Sequence, residues 1–463
     1  MSVSTVLSDY LKTPSFISFL KVRGSFSDVR ADATSPTIGP APYSSITAFG
    51  GSTGASLFNN PIGYGNNYNS PYNGPSYALN TSYSTNKLYN NQSAGFASDF
   101  LYQDNIKTST RINYEEGFDI KFLKNRLGFS GTAFQYIDGP SILRNAISSA
   151  TGDYFLFLNA LKTKKTGYEG SFSGTPIKNA HGINWDVLVN LSTYKTVYKE
   201  FPPGQTTYPN SFFHLGDRVD KFYGSAFVRT ADGQIINDKA GKPLVNPVPQ
   251  YLGNFNSDYA WSIFNKIKFR SVSMGFQFDG SVGGVTTDYM HNKTMRGGSN
   301  IETAQGLLGD ARYKDWQNFG VAGYNGSYIG QGVFITNGTA INYNTATGQI
   351  LNEKDLQYAP NIKTVFVQDY ASKFYNVQEA NLMSKTFSKL REITITYELP
   401  QKLLNKTFIS KAAISVIGRN LLYFYKDKKF KDVDLDQYNY ATGTTQLQSP
   451  TVRSFGFNLN LTF

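Results

Sequence analysis

Polar and apolar residues alternate with a period of two along much of this 463-residue chain. In the stretch Leu20-Lys21-Val22-Arg23-Gly24-Ser25-Phe26-Ser27, the apolar set is Leu20, Val22 and Phe26, and the other set is Lys21, Arg23, Ser25 and Ser27. Such a stretch, extended, presents one greasy face and one wet face. A hairpin follows the same rule. Tyr114, Phe118, Ile120 and Phe122 alternate with Asn113, Glu115, Asp119 and Lys121, a turn falls at Lys124-Asn125-Arg126, and a return strand starts at Leu127. Further strands are expected at 162–174, 183–197, 259–270, 272–283, 387–399, 411–424 and 451–463. Within 259–270, Trp261, Ile263, Ile267 and Phe269 oppose Ser262, Lys266, Lys268 and Arg270. We expect about a dozen strands, each near the ~9–11 residues with which a tilted strand crosses a bilayer.

The links between these strands are unequal. Those at 123–126 and 400–410 are short, whereas 45–106 and 284–384 are long and polar. Long irregular segments are uncommon inside a compact soluble domain. In outer-membrane barrels, short periplasmic turns and long extracellular loops are the rule. The last strand is the most informative, with Phe455, Phe457, Leu459, Leu461 and Phe463 alternating with Ser454, Gly456, Asn458, Asn460 and Thr462. A soluble sandwich would also show alternation there, but free termini usually fray and carry polar tails.

Composition agrees with this reading. Tyr 32, Phe 35 and Gly 42 describe a large β-protein with many turns. Mean hydropathy is −0.35, and no apolar run approaches the ~18 residues that suggest a membrane helix. Cysteine is absent, which excludes disulfides and thiolate metal sites. The net charge of +11 suits anionic lipid headgroups. No nucleic-acid-binding motif accompanies it, so nucleic acid is not expected as a partner. The first residues have neither the basic nor the apolar region of an export signal, and a mature, truncated or partial chain is expected.

Ser388 to Pro400, Gly418 to Leu422, Arg453 to Phe463, Asn159 to Ile177 with Trp185, and Ser18 to Ser25 together resemble the SusC/RagA family of TonB-dependent outer-membrane transporters. Ser388-Lys389-Leu390-Arg391-Glu392-Ile393-Thr394-Ile395-Thr396-Tyr397-Glu398-Leu399-Pro400 looks like the family's late strand and Leu-Pro turn. Gly418-Arg419-Asn420-Leu421-Leu422 is similar to its Gly-Arg/Gln-Asn-Leu strand, and Arg453 to Phe463 to its terminal strand. Upstream, Asn159-Ala160, Gly167-Tyr168-Glu169, Ser173-Gly174-Thr175-Pro176-Ile177 and Trp185 with Asn190 and Ser192 resemble a second hallmark. Ser18 to Ser25 resembles an earlier strand. One departure is Glu116, where the family places a short aliphatic on the presumed lipid side.

The resemblance implies an all-β fold, an antiparallel transmembrane β-barrel of which 1–463 is the carboxy-terminal portion. The signal peptide, plug and TonB-contacting segment of the family are not among these residues. It implies TonB-dependent uptake of oligosaccharides or peptides across the cell outer membrane of a Gram-negative bacterium. The implied partners are a SusD-like surface lipoprotein as lid, the TonB complex through the part not present, the barrel-assembly machinery and outer-membrane lipid. Phe455, Phe457, Leu459, Leu461 and Phe463 would form the insertion signal strand. A passive porin-like barrel, a closed barrel of about 12 strands and a soluble surface-binding β-protein remain alternatives.

An enzyme is not expected. His181, His214 and His291 lie far apart without metal-ligand spacing, and neither a nucleophile elbow nor a P-loop is present, so no metal or cofactor is expected. Gly50-Gly51-Ser52-Thr53-Gly54 lacks the lysine of a phosphate cradle and reads as a loop. Asp232-Gly233 and Asp238-Lys239-Ala240-Gly241 could offer oxygens to calcium but suit hairpin turns better. Lys426, Lys428, Lys429 and Lys431 form a basic run, to be read as lipid contact or as a solvated loop. Ligand contact is expected at Tyr313, Asp315, Trp316, Asn318, Tyr324 and Tyr328, whose rings and polar groups could hold sugars or peptides. Self-packing of the loop or contact with a partner protein is the competing reading.

Overall fold

The computed structural model describes residues 1–31, 83–97, 100–104, 106–179, 182–405, 407–429 and 452–463. Eleven strands form one sheet. They are β1 (Ser2–Val6), β2 (Ile17–Ala31), β3 (Ser109–Phe122), β4 (Leu127–Asp138), β5 (Lys162–Ile177), β6 (Ile183–Glu200), β7 (Tyr259–Phe269), β8 (Val272–Val282), β9 (Phe387–Glu398), β10 (Lys411–Lys426) and β11 (Ser454–Thr462). Each pairs with its neighbours in chain order, giving an antiparallel meander. Links alternate in length: 123–126, 178–182, 270–271 and 399–410 are short, and 32–108, 139–161, 201–258, 283–386 and 427–453 are long. The expected strands from β2 onward are present. The fold is all-β with an antiparallel wall, as expected, and β1 is an addition that the alternation did not reveal. No helix among the described residues is long and apolar enough to cross a membrane, which says nothing of strands.

The register explains the alternation. On β11, Phe455, Phe457, Leu459 and Leu461 stand opposite Gly418, Val416, Ile414 and Ala412 of β10. Those residues in turn adjoin Ile393, Ile395 and Tyr397 of β9, and the apolar stripe continues to Phe276, Met274 and Val272 of β8. Most of the larger side chains on this stripe are left exposed, Phe457 at 68%, Val416 at 55% and Ile395 at 47%, whereas the small Ala412 is buried between its neighbours. A contiguous apolar face of this size is unstable in water and stable against acyl chains. The other face carries Ser454, Asn458, Asn460 and Ser415, with Arg419 Nε on Glu392 Oε2 at 2.8 Å and Lys268 Nζ on Glu398 Oε1 at 2.7 Å. Phe463 falls outside β11, its ring stacked on Phe408 at 5.5 Å.

By its contacts the chain divides into two units, Met1–Ile120 with Ser130–Glu169 and Tyr194–Val219, and Lys121–Phe129 with Gly170–Thr193 and Asp220–Phe463. In the first, Arg23 is the centre of the polar face. It donates to Asp119 Oδ2 and Thr132 Oγ1, both at 2.6 Å. The opposite face carries Phe26 against Tyr114, with rings 5.3 Å apart. Glu116 is exposed on the same strand, two residues from both Tyr114 and Phe118, so the carboxylate does share their face. Beyond the wall, Phe100–Tyr102, Ser141–Ala146 and Phe155–Ala160 form a small sheet, with Ile142 and Phe157 buried against Tyr102 and Ile106. The expected loop 45–106 falls largely outside the described residues. Its later part contains strands Tyr83–Tyr89 and Gln92–Ala97.

In the second unit, two features show why particular residues are placed in the wall. Asn265 stands on the apolar face of β7, level with Phe276 of β8 and Val187 of β6. It is buried, and its Oδ1 accepts a 3.1 Å hydrogen bond from Trp185 Nε1, which removes the cost of an unpaired amide there. Asn420 takes a left-handed conformation, φ 54°, where the β9–β10 register shifts. Asn tolerates that conformation better than most residues. Its Oδ1 accepts from Lys389 Nζ at 3.2 Å and Arg391 Nη1 at 3.3 Å, and Arg391 also pairs with Asp279 at 2.6 Å.

Candidate functional site

Residues 283–386, between β8 and β9, contain the residues marked for ligand contact. The segment leaves β8 through Gly283 and Gly284, φ 81° and 80°, consecutive left-handed positions that suit glycine. Strands Val285–Thr287 and Leu382–Ser384 pair to tie its two ends together. Between them lie helices α1 (Tyr289–Arg296), α2 (Gly306–Gln317) and α3 (Val367–Phe374). Asp288 caps α1, accepting from His291 N at 2.9 Å. Part of 201–258 packs on this segment: Val228 and Ile236 are buried with Val333, and Phe227 and Ile235 with Val377. The long polar loop expected at 284–384 is therefore an organised excursion with its own core.

Asp315 organises the helices. It is 8% exposed, and its Oδ1 accepts from the Tyr324 hydroxyl at 2.6 Å and from Ser327 Oγ at 2.8 Å. Its Oδ2 accepts from the backbone N–H of Val367 at 2.7 Å. Val367 opens α3, which has no side-chain cap of its own, so Asp315 supplies one from α2. Burial pushes the Asp315 carboxyl up, but these hydrogen bonds outweigh it and hold it below the ordinary range. Burial, and then the bond to Asp315, pushes the Tyr324 hydroxyl up.

The six expected contact residues therefore separate. Tyr313 and Trp316 project from α2, 58% and 73% exposed, with rings 5.9 Å apart. Asp315 and Tyr324 bind each other inside the excursion. Asn318 caps the end of α2, its side chain donating to Lys314 O at 2.8 Å. Tyr328 packs on Tyr370 at 4.8 Å, and burial raises its hydroxyl. A cavity of about 460 Å³ lies beside Trp316, lined also by Met295, Leu308, Arg312, Phe319 and Phe366. None of those five residues was marked from sequence. Phe319, four residues beyond Asp315 and 81% exposed, is the one that aromatic spacing could have flagged.

The remaining candidates take structural places. Gly233 and Gly241 occupy left-handed turn positions, φ 87° and 82°, and Asp238 Oδ1 accepts from Ala240 N and Lys242 N at 2.9 Å. Lys429 Nζ donates to Leu382 O at 3.0 Å, and Lys426 lies over the Tyr423 ring. Lys431, His181 and the 50–54 glycine run lie outside the described residues. His214 approaches Asp217 at 3.8 Å, and His291 approaches Asn381 at 3.2 Å and Glu302 at 3.7 Å. Among the described residues no group of three metal-ligating side chains occurs.

No protein-family model matches the chain. A curated relative from Formosa agariphila, "TonB-dependent receptor P3", is 21% identical over 396 residues, which is 78% of this chain and 35% of the relative. Among solved structures, the RagAB peptide importer in its open-open state superimposes over 100% of this chain and 42% of its own, at a TM-score of 0.60 and 13% identity. The fold is that of part of a RagAB importer chain. A second structure of the RagAB peptide transporter gives a TM-score of 0.59 at 14% identity, and the closed-closed importer gives 0.58 at 12%. The chain thus spans about a third of the curated relative and under half of the importer chains. Both comparisons agree with the SusC/RagA resemblance read from the residues. The relatives are named as a receptor and as importers, not as enzymes.

Proposed function

We propose that this chain is part of the wall and outer face of an outer-membrane nutrient transporter. The observation that carries this reading is the uncovered apolar face that runs from β8 to β11 opposite a polar, ion-paired face. A wall with lipid outside and water inside requires that division. Residues 1–463 form the carboxy-terminal portion of the barrel, and the links 45–106 and 284–384 lie on the extracellular side. The strands that close the wall beyond β1 and β11 belong to the rest of a longer protein, because open edges in hydrocarbon leave unpaired backbone groups.

On this reading uptake is TonB-dependent, the cargo is an oligosaccharide or a peptide, and a SusD-like lipoprotein covers the outer opening. The TonB complex acts through the part of the protein beyond these residues. Phe455, Phe457, Leu459, Leu461 and Phe463 serve as the strand recognised by the barrel-assembly machinery. The names of the relatives support this reading. Spin labels at Phe457, Leu459 and Leu461 in a reconstituted bilayer test it. Oxygen accessibility at these sites should exceed that at Asn458 and Asn460, and equal aqueous exposure at all five would remove the membrane wall.

A further inference from the structure

We infer that the cavity between α1, α2 and α3 binds an apolar side chain with a carboxylate close beside it, the chemistry of the last residue of a peptide. The inference deepens the transport reading and rests on it, since it names what the outer face captures. The volume of about 460 Å³ suits one large side chain with its flanking backbone. Its walls are Met295, Leu308, Phe366 and Ala371, with Trp316 and Phe319 at 73% and 81% exposure leaving broad ring surface uncovered.

The polar element is Arg312. Its Nη1 donates to Gly298 O at 2.7 Å and to Thr303 Oγ1 at 2.9 Å, which fixes the guanidinium at the cavity lining. Among the described residues no carboxylate pairs with Arg312, and Nε and Nη2 make no hydrogen bond. That pair of donors forms one edge of the guanidinium fork, the edge that takes a carboxylate through two parallel bonds. Asp315 also lines the cavity, but both its oxygens already accept from Tyr324, Ser327 and Val367. The Thr303 hydroxyl is already engaged with Asn300 O at 2.7 Å, and Gln368, which donates to Arg296 O at 2.5 Å, keeps its second amide N–H and its Oε1 for the backbone of the ligand. An aromatic or branched side chain fills the walls, and its carboxylate meets Arg312.

The test is calorimetry in detergent on the whole transporter that contains this chain, with acetyl-Gly-Gly-Phe as the probe and its carboxy-terminal amide as the comparison. The acid should bind about tenfold tighter, as a charge-assisted pair requires. Arg312→Gln should abolish that ratio while the amide still binds. Trp316→Ala, at an exposed position, should weaken acid and amide alike by about fivefold and leave their ratio intact. Equal binding of acid and amide by the unaltered chain overturns the inference and needs no variant. That result would leave the transport reading standing, because the bilayer labels report on the wall alone. An acid preference that survives Arg312→Gln overturns it as well.

Discussion

Strands β8 and β9 and the excursion that joins them, 283–386, spend the same residue types in opposite ways. On the strands Met274, Phe276, Ile393 and Ile395 share one face, on which Ile395 is 47% exposed. In the excursion Phe366, Tyr370 and Phe374 turn inward. Tyr370 is 3% exposed, its ring stacked on Phe374 at 5.5 Å and lying near Tyr328. Burial raises the Tyr370 hydroxyl and pushes that of Tyr375 up to about 12. The excursion therefore builds its own dry core, as a water-borne domain must. The wall leaves its apolar face for a solvent that is itself apolar. Composition alone cannot separate the two regions, but the period of the pattern can.

The comparison breaks most directly at β11. Leu459→Arg places a charge on the lipid side, and Asn458→Arg places the same charge one residue away on the polar side. The first should cost about 2–4 kcal/mol near the bilayer centre and the second little. Denaturant unfolding of the whole transporter in lipid vesicles measures both. Equal costs would mean that the two faces of the strand meet the same medium.

The matching cut in the excursion is Asp315→Ala. It leaves the first N–H of α3 and the Tyr324 hydroxyl without their acceptor, while the Ser327 hydroxyl can still donate to Ala311 O at 3.1 Å, and hydrogen bonds to a charged group are worth roughly 1.5–3 kcal/mol net. We expect a loss of about 3 kcal/mol confined to α2 and α3, read as faster amide exchange there with β7–β10 unchanged. Because the Asp315 pKa is lowered in the folded state, its contribution is complete above the ordinary carboxylate pKa of about 4. It is lost as pH falls through the depressed value. The protection of α3 amides, taken relative to their intrinsic exchange rate at each pH, should therefore fall on acidification in the parent chain and not in the variant.

How much of this was legible follows from the same contrast. A period of two is readable residue by residue, so Trp261, Ile263, Ile267 and Phe269 fell on one face of β7 as written. The exception on that face, Asn265, has a reason only in three dimensions, since its partner Trp185 is 80 residues away in sequence. β1 was missed because Ser2-Val3-Ser4-Thr5-Val6 is short and nearly all small, with little amplitude to its alternation. In the excursion the aromatic and acidic residues were visible but their directions were not. Asp315 and Trp316 are neighbours in sequence, yet a helix turns successive side chains by about 100°. One therefore entered the core while the other faced outward. Arg312 was passed over because only the positions of Gly298 and Thr303 make it a fixed donor.

A smaller effect sharpens the account of the apolar face. Trp185→Phe keeps an aromatic ring, though a smaller one, and removes the donor to Asn265 Oδ1. The expected loss is about 1–2 kcal/mol, the cost of an amide oxygen left without a partner. Asn265→Leu in the same background should restore most of it, because a leucine there needs no donor and suits an apolar face. Vesicle unfolding of the single and double variants reads the difference, and no recovery would mean that the surroundings of Asn265 are not apolar.

The smallest expected effect asks what fills the other face. Arg419 and Glu392 pair at 2.8 Å with the Arg419 side chain 58% exposed, so screening reduces what the pair contributes. Arg419→Gln should cost under about 1 kcal/mol, and that difference should vanish as salt is raised toward about 1 M, where screening acts within ~3 Å. Such a result describes charges facing an aqueous interior. A larger loss that salt leaves unchanged would instead describe a polar face held against protein, as a plug inside the barrel would hold it. The direction of the salt effect thus reports on the medium inside the wall, as the Leu459 variant reports on the medium outside it.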